Sequence, residues 1–323
     1  MSVLVFLENW DGKFKKFTFE LASYAAKVAE MLNTTPVALS LGTVEQSELE
    51  KVCKYGISRI ISASNPELSV LDNQVYTSVI AGIAKQENTT VIVLANNNTG
   101  KALAPRLSAR LQAAVGSGVS KLPLSTEPFV IYKKVFSGNA FADVALKSAV
   151  KILTLSQNSF DLIENPVTPA IESVQASIEP GMMKTQVKEV QKQTGKILLT
   201  DAEIVVSGGR GMKSPDNWGP LTELAELLGA ATACSRPVSD EGWRPHEEHT
   251  GQTGKIIAPN LYMAIGISGA TQHLAGISSS KYIVAINTDK DAPIFEAAQY
   301  GIVGDAMKVL PKLVEAVKEI KKN

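Results

Sequence analysis

The chain has few cysteines, few histidines, no long apolar run and no excess of either charge. Cys53 and Cys234 are its only cysteines, so the cysteines alone cannot hold a metal cluster, and their scarcity indicates a reducing compartment. The 32 basic and 32 acidic side chains cancel, which gives no sign of a nucleic-acid-binding surface. No apolar stretch is long enough to span a bilayer. We therefore predict a cytoplasmic protein that binds no nucleic acid and does not insert into a membrane.

The amino-terminal residues 1–7 are apolar but follow no basic segment, and Glu8 comes directly after them. This pattern predicts a first strand and not a signal peptide. A length of 323 residues suits two domains, and an apolar content of 45% is enough for ordinary buried cores.

The first half alternates short β-branched runs with amphipathic segments, which predicts a mostly parallel sheet with helices on both faces. The predicted strands are residues 3–7, 36–41, 59–62 and 90–95, and the predicted helices are residues 18–32, 46–55 and 73–86. A polar turn at 96–101 leads into a helix that carries Pro105, Arg106 and Arg110. Such a turn either holds a ligand or is structural, and the residues leave both readings open.

From residue 116 onward the pattern changes to short extended runs at 129–135, 140–146 and 149–154, which we expect to complete the sheet with some antiparallel pairing. Residues 157–187 are poor in apolar periodicity, and we interpret them as a connecting region with a strand or two. The domain boundary is expected near residues 188–195. This gives an amino-terminal domain of residues 1–190 and a carboxyl-terminal domain of residues 191–323.

The second half is organised around residues 250–289. Strands are predicted at 255–257, 262–267 and 282–287, with a glycine turn at 266–269 and a helix at 270–277. Strand, turn, helix and strand form a crossover unit of the kind that binds nucleotides. Gly266 and Gly269 permit a sharp turn and a close ligand, and the free N–H groups at the start of the helix would face an anion such as a pyrophosphate.

Three polar residues nearby could either bind a ligand or have an ordinary structural role. Arg210, which follows a predicted strand at 203–207, suits a phosphate or is a solvated side chain at an ordinary turn. Arg236 follows a short strand at 230–235 and could pair with Asp240 or Glu241 at the surface. Thr253 in the turn 251–254 could be a simple turn or capping residue. Helices are further predicted at 217–228 and 306–322.

Taken together, several motifs in the second half resemble the electron transfer flavoprotein alpha-subunit family. They are VSGGRGMK at 206–213, ACSRP at 233–237, GQTGK at 251–255, PNLYMAIGISGATQHLAG at 259–276, IVAINTD at 283–289 and APIFEAAQYGIVGD at 292–305. They occur in the order of the family. The resemblance implies an α/β protein with two domains: an amino-terminal, nucleotide-binding-like parallel-sheet domain that serves mainly as a subunit contact, and a carboxyl-terminal, doubly wound Rossmann-like domain that binds FAD.

The resemblance also assigns the FAD-binding positions, and it implies neither a catalytic residue nor a metal. These positions are Arg210, Ser235, Arg236, Thr250, Gly251, Gln252, Thr253, Ser268, Gly269, Ala270, Thr271, Gln272, His273, Asn287, Asp305 and Ala306. By resemblance, Arg236 lies over the flavin ring and raises its potential. Thr253 places a hydroxyl near N5, and His273 stands by the pyrimidine end, where it can stabilise charge at N1 and O2. Ser268 and the following N–H groups meet the pyrophosphate and ribityl chain.

The function that the resemblance implies is that of an electron carrier, and not of an enzyme that converts a substrate. The chain would be the FAD-binding alpha subunit of a heterodimer. It would accept electrons from flavoprotein dehydrogenases, such as the acyl-CoA dehydrogenases of fatty acid beta-oxidation, and pass them to a quinone oxidoreductase of the respiratory chain. A beta subunit would pack on both domains. Whether that subunit holds AMP or a second, bifurcating flavin is left open.

Two other classes compete on residues alone. Ser268 in Gly-Ile-Ser-Gly-Ala resembles a hydrolase nucleophile elbow, but His273 is the last histidine, so no later histidine can serve as the base. A nicotinamide-binding oxidoreductase subunit expects a G-x-G-x-x-G turn, which Gly266-x-x-Gly269 does not supply. This second rival stays open, because it too predicts a bound dinucleotide.

The segment 240–249 carries His246 and His249 with two glutamates between them. A His-x-x-His spacing on a proline-flanked loop, without a cysteine partner, is a poor zinc signature. We therefore expect a solvated loop here.

Overall fold

A computed structural model of the protein describes residues 1–138, 140–183, 185–190 and 197–322. The chain divides into two compact units, Met1–Val190 and Gln191–Asn323. Residues 191–195 of the predicted boundary region lie outside the described residues. No helix in the described part of the chain combines the length and the apolarity needed to cross a membrane.

In its described residues, the first unit has one large sheet, a small hairpin and four α-helices. Its strands are β1 (Ser2–Leu7), β2 (Asn9–Trp10), β3 (Lys13–Phe14), β4 (Thr35–Leu41), β5 (Arg59–Ser64), β6 (Thr89–Ala95), β7 (Ala114–Val119), β8 (Ser125–Thr126), β9 (Phe129–Val135), β10 (Ala140–Leu146), β11 (Lys151–Leu155) and β12 (Ala170–Gln175). Its α-helices are α1 (Lys16–Met31), α2 (Gln46–Leu49), α3 (Asn73–Gln86) and α4 (Asn98–Leu111). Short 3-10 helices occur at Glu50–Lys54, Pro66–Ser69 and Phe136–Gly138. The single helix predicted at 46–55 is thus α2 followed by a 3-10 turn.

The large sheet has ten strands, in the order β10-β9-β7-β11-β6-β1-β4-β5-β12, with β8 beside β9. Its centre is parallel because helices cover both faces, and β1 shows this in its sequence. Val3, Val5 and Leu7 point into one apolar cluster, and Leu4 and Phe6 point into the other. The predicted antiparallel pairing is confirmed at one edge, where β9 pairs with β10 and with β7. In the connecting region, β12 adds one strand parallel to β5.

The polar turn at 96–101 is closed by the protein itself. The Asn97 side chain caps α4 by accepting from the Gly100 N–H, and the Glu8 carboxylate accepts from the side chains of Asn97 and Thr99. The carboxylate occupies the side-chain donors that a phosphate would use, and its negative charge opposes a second anion. The geometry therefore favours the structural reading of this segment.

The second unit is a five-stranded sheet whose described pairings are all parallel. Its strands are β13 (Ile204–Gly208), β14 (Ala231–Cys234), β15 (Leu261–Ile265), β16 (Tyr282–Asn287) and β17 (Tyr300–Val303). Its α-helices are α5 (Gly219–Leu228), α6 (Arg236–Asp240), α7 (Thr271–Ile277), α8 (Ile294–Ala297) and α9 (Ala306–Lys322), and 3-10 turns occur at Arg210–Met212, Pro215–Trp218 and His246–Glu248.

The strand order in this sheet is β14-β13-β15-β16-β17. From β13 the chain first adds β14 on one side and then adds β15 on the other. The order therefore reverses between β13 and β15. In open parallel sheets, ligands bind in the crevice beyond the carboxyl ends of the strands at such a switch point.

Two predicted elements of this unit are wrong in detail. Residues 255–257 do not form a strand, since Lys255 makes only an isolated bridge to Thr250. Ile257 is nevertheless buried. Its N–H donates to the Gly276 carbonyl of α7, 2.9 Å away, so it lies against that helix and not in the sheet. The helix predicted at 217–228 begins instead at Gly219, after the 3-10 turn Pro215–Trp218.

Candidate functional site

The residues predicted from the resemblance all lie in segments at the carboxyl edge of the second sheet. Arg210 follows β13, Ser235 and Arg236 follow β14, Ser268–His273 follow β15, Asn287 ends β16, and Asp305 and Ala306 follow β17. The turn at 250–253 returns to this edge, because the Thr250 N–H donates to the Cys234 carbonyl at the end of β14. Parallel strands thus bring together side chains that are up to about a hundred residues apart in sequence.

The loops after β13 and β15 meet backbone against backbone at the switch point. The Gly209 N–H donates to Ile265, and the Gly211 N–H donates to the Gly266 carbonyl at 3.0 Å. A Cβ on Gly211 would lie 2.6 Å from the Gly266 α-carbon, so a side chain there would force the loops apart. Gly266 itself has a φ of +63°, in the left-handed region that favours glycine. This close contact fixes the positions from which Arg210 and Ser268 project.

The turn at 250–254 is held between β14 and α7. The Gln252 N–H donates to the Gln272 carbonyl at 2.7 Å, which ties the turn to the first residues of α7. A Cβ on Gly276 would come within 2.5 Å of the Gly251 α-carbon, so the helix lies directly against the turn. As a result Gln252 and Thr253 are exposed, while Thr250 and Gly251 beneath them are buried.

The predicted site residues at this edge therefore form an exposed layer and, beneath it, a buried layer. Its exposed members are Arg210, Arg236, Gln252, Thr253, Ser268, Ala270, Thr271 and Gln272. Its buried members are Ser235, Thr250, Gly251, Gly269, His273 and Ala306. Asn287 and Asp305 are intermediate. This arrangement places several polar side chains at the surface of the edge, where a ligand that lies across it can reach them.

His273, on α7, is 7% exposed and faces the core. Its Nε2 lies 2.8 Å from the hydroxyl of Tyr262 on β15, which is fully buried. Burial lowers the pKa of His273 from 6.5 to about 4, because the protonated form loses its hydration. His273 is therefore a neutral imidazole at pH 7 in the chain, able to donate or accept a hydrogen bond but carrying no charge.

The expectation of a solvated loop at 240–249 is wrong for its last two residues, Glu248 and His249, which are buried. Arg244 binds the buried Glu248 carboxylate through two nitrogens, at 2.8 and 2.7 Å, and stands over the Trp218 ring. The next residue, His249, is 3% exposed, and burial together with the neighbouring His246 lowers its pKa. His249 forms an isolated bridge with Cys234 at the end of β14, and its ring fills the space where a Cβ on Gly254 would lie, 2.8 Å from its Nδ1.

At the surface of the edge, Arg236 makes an ion pair with Asp240, which the sequence offered as the alternative to ligand binding. Its Nε lies 3.3 Å from the Asp240 carboxylate one helical turn later, and both side chains are more than half exposed. An exposed pair of this kind is worth roughly 0–1 kcal/mol, so it does not compete strongly with another anion. The two readings of Arg236 are thus compatible.

The far end of the edge is anchored by hydrogen bonds from β16 and β17. The Asn287 amide donates to the Ile267 carbonyl at 2.8 Å, which joins β16 to the loop after β15. Asp305 accepts from the Met307 N–H and binds the Lys213 ammonium at 2.8 Å. The Lys213 contact and the backbone bond hold the pKa of Asp305 below its usual range. A lysine not singled out from the sequence thus joins the first and last loops of the edge.

Comparisons with known proteins agree with this geometry. A family model described as the electron transfer flavoprotein FAD-binding domain matches residues 198–278, and one described as the electron transfer flavoprotein domain matches residues 3–196. The electron transfer flavoprotein subunit alpha of Bacillus subtilis is 36% identical over 321 residues, which cover 98% of each chain. The chain belongs to the electron transfer flavoprotein alpha-subunit family.

Other relatives are similar to this chain over a comparable length. The electron transfer flavoprotein subunit alpha of Syntrophomonas wolfei is 34% identical and covers 98% of this chain and 98% of its own. The acryloyl-CoA reductase electron transfer subunit beta of Anaerotignum propionicum is 31% identical and covers 98% of this chain and 95% of its own. The family implies a beta subunit as partner, and the matched FAD-binding domain supports flavin binding.

The residues at the carboxyl edge fit an electron transfer flavoprotein alpha subunit that binds FAD. Two buried polar atoms at the 250–254 turn have no hydrogen-bond partner among the described residues: Nδ1 of His249 and Oγ1 of Thr250. Unsatisfied buried polar atoms are costly and call for a partner. The predicted site residues except Asn287, Asp305 and Ala306 lie in the range matched as FAD-binding.

Sequence reasoning did not assign Tyr262 or His249 to this site. Tyr262 lies inside one of the family motifs, but the strand pattern alone indicates only a buried residue. The spacing of Tyr262 and His273, eleven residues apart across a turn, gives no local sign of their contact. Among the described residues no cluster of side chains is suited to hold a metal ion.

Proposed function

We propose that the chain is the FAD-binding alpha subunit of a heterodimeric electron carrier. It takes electrons from flavoprotein dehydrogenases and passes them to a quinone oxidoreductase. The observation that carries this proposal is the convergence of the family's FAD-binding positions on one edge of a parallel sheet, with unsatisfied buried polar atoms beneath them. An elongated dinucleotide fits an edge that runs past every strand of a five-stranded sheet.

The residues of this chain would hold the cofactor from one end to the other. Arg236 would lie by the ring, where its guanidinium favours negative charge, and Thr253 would offer its exposed hydroxyl beside the ring. Ser268 and the exposed residues after it would bind the phosphate-bearing middle, and Asn287 and Asp305 the adenosine end. Bound FAD would supply the redox chemistry itself. The chain orients the cofactor and sets the charge around it.

The partners follow from the family and from one relative. That relative is named an electron transfer subunit of an acryloyl-CoA reductase, which supports a redox partner that acts on acyl-CoA compounds; a reductase takes up electrons, so the name does not identify a donor. We propose acyl-CoA dehydrogenases of fatty acid beta-oxidation as the electron donor. We further propose that the first unit, whose polar turn is closed by Glu8, serves as the contact for the beta subunit and binds no nucleotide.

The decisive test is the cofactor content of the complex. The chain is co-expressed with the beta subunit from the same genome, and the visible spectrum of the purified complex is recorded. Flavin bands, with about one equivalent of FAD released on denaturation, support the proposal. Two equivalents point to an electron-bifurcating complex. A colourless complex that binds a nicotinamide nucleotide contradicts the proposal and favours the dehydrogenase-like rival.

The donor and acceptor are tested separately on the same complex. An acyl-CoA dehydrogenase with its substrate should bleach the flavin bands, and a quinone oxidoreductase with a soluble quinone should restore them. Bleaching by NADH alone, with no response to the acyl-CoA dehydrogenase, would contradict the proposed donor.

A further inference from the structure

The imidazole of His249 lies inside the turn at residues 250–254. The backbone closes around it, because the Lys255 N–H donates to the His249 carbonyl at 2.8 Å. Two glycines border the ring: a Cβ on Gly254 would lie 2.8 Å from Nδ1, and a Cβ on Gly251 would lie 3.5 Å from Nε2. The buried imidazole therefore packs against the backbone of the turn at both of its nitrogens.

The same turn carries two of the polar side chains predicted to contact the flavin ring. Gln252 and Thr253 are exposed on it, and the Gln252 N–H donates to the Gln272 carbonyl of α7 at 2.7 Å. The His249 ring fills the space inside the turn, where close packing leaves little room to adjust. A displacement of this ring therefore moves Gln252 and Thr253 at the edge of the sheet.

The charge of the imidazole decides whether it stays in this place. Nδ1 of His249 is buried and has no hydrogen-bond partner among the described residues. A neutral imidazole can leave Nδ1 without a proton, whereas an imidazolium carries an N–H on both nitrogens. An N–H at Nδ1 would be buried against Gly254 with no acceptor from the chain, which is costly. Protonation therefore favours movement of the ring out of the turn and into water.

Several charged or titratable groups face the ring from the elements that pack against it: Arg236 and Asp240 on α6, His246 on the 3-10 turn, Cys234 on β14 and His273 on α7. Burial and the His246 ring, 5.4 Å away, lower the pKa of His249. The exposed ion pair on α6 adds effects of opposite sign, since Asp240 raises this pKa and Arg236 lowers it. Cys234 and His273 are uncharged near neutral pH, because burial raises the thiol pKa to about 12 and lowers the imidazole pKa to about 4.

We propose that His249 is a positioning residue of the flavin site: its neutral imidazole supports the 250–254 turn, and its protonation displaces Gln252 and Thr253 and weakens the binding of FAD. The inference rests on the proposed function in naming FAD as the ligand. Its sign follows from proton linkage. Because the FAD-bound form holds the imidazole neutral, release of FAD below the pKa of His249 takes up one proton. The dissociation constant of FAD then rises by up to about tenfold for each pH unit.

The test measures FAD binding to the complete complex from about pH 8 to about pH 5, a range in which His273 stays neutral. The chain in complex with the beta subunit is diluted at each pH, and released FAD is followed by its fluorescence. We expect a constant dissociation constant near pH 8 and a rise as the pH falls below 6.5, the ordinary pKa of the imidazole. His249→Gln keeps a polar side chain that does not titrate, so its profile should be flat. A flat wild-type profile, or a rise that persists in His249→Gln, would overturn the proposal.

His246→Gln is the matched control for the neighbouring imidazole. His246 is exposed, and its ring lowers the pKa of His249. Its removal should therefore keep the rise of the dissociation constant and move it to higher pH. Loss of the rise in His246→Gln would assign the titration to His246 and overturn the proposal.

Movement of the turn is measured without flavin on the full-length chain labelled with ¹⁵N. The amide signals of Gln252 and Thr253 should shift over the same pH range in the wild type and should stay in place in His249→Gln. Wild-type signals that do not respond to pH would overturn the proposal. A wild-type complex that holds no FAD at pH 8 would instead overturn the proposed function, while the amide signals still test the role of His249.

Discussion

The buried imidazole of His273 makes the stability of the second unit depend on pH. Burial lowers its pKa from 6.5 to about 4, so between these values the unfolded chain binds a proton that the folded chain rejects. The free energy of unfolding therefore rises with pH through this window. The part that His273 contributes is lost as the pH falls from about 6.5 to about 4. Because one pKa unit corresponds to about 1.4 kcal/mol, the full displacement is worth about 3 kcal/mol.

The measurement is urea unfolding of the flavin-free chain at several pH values between 7 and 4. A Trp10→Phe background leaves Trp218 and Trp243 as the fluorescent reporters, and both lie in the second unit. In this background, lowering the pH from 7 to 4 should reduce the free energy of unfolding of His273→Gln by about 3 kcal/mol less than that of the parent chain.

The exposed His246 provides the matched control, since His246→Gln keeps the buried imidazole of His273 in place. This control should keep the pH dependence that His273 contributes. The buried His249 is present in the parent and in His273→Gln, so it cancels between them, whereas His246→Gln removes a neighbour that lowers the pKa of His249 and therefore makes the His249 contribution smaller. Parallel profiles for the parent and His273→Gln would refute the reasoning, because they would mean that the His273 ring is hydrated in the folded chain.

Three further outcomes are expected from single residues. Arg236→Ala should lower the flavin midpoint potential of the complex while changing the free energy of unfolding by less than about 1 kcal/mol. Asp240→Asn, which removes only the ion-pair partner, is the control. An unchanged potential would count against the role of Arg236. Gly269→Ala should lower the melting temperature and reduce the free energy of unfolding by about 1–3 kcal/mol, because φ is +83° and the new Cβ would lie 2.4 Å from the Ile294 nitrogen. An unchanged melting temperature would contradict this strain. Cys234, whose pKa burial raises to about 12, should resist a thiol reagent at pH 8 until the chain is denatured, and rapid labelling of the folded protein would show that the thiol is accessible.

Elements whose pattern is local were predictable from the sequence. The strand Tyr282–Asn287 and the helix Ala306–Lys322 have the predicted bounds, because an apolar run and a long amphipathic repeat each determine their own structure. The glycine turn at 266–269 was also predictable, since few other residues adopt its backbone angles.

Features that depend on distant partners were not predictable. Residues 255–257 have the composition of a strand, but the Ile257 N–H donates to the Gly276 carbonyl of α7, nineteen residues later. His249 lies in a polar loop segment, and its burial depends on the isolated bridge to Cys234, fifteen residues earlier in the chain. Which residues bind FAD came from family motifs, and their roles at the site remain predictions.

The contact of the glycine turns has a consequence for changing this protein. Because Gly211 lies against Gly266, and Gly251 against Gly276, no side chain stands between the loops to absorb a displacement. A loop taken from a relative with a slightly different path would therefore push its neighbour directly through the backbone. Exchanges of single loops should fail where exchanges of the whole set succeed, so this edge behaves as one transplantable part.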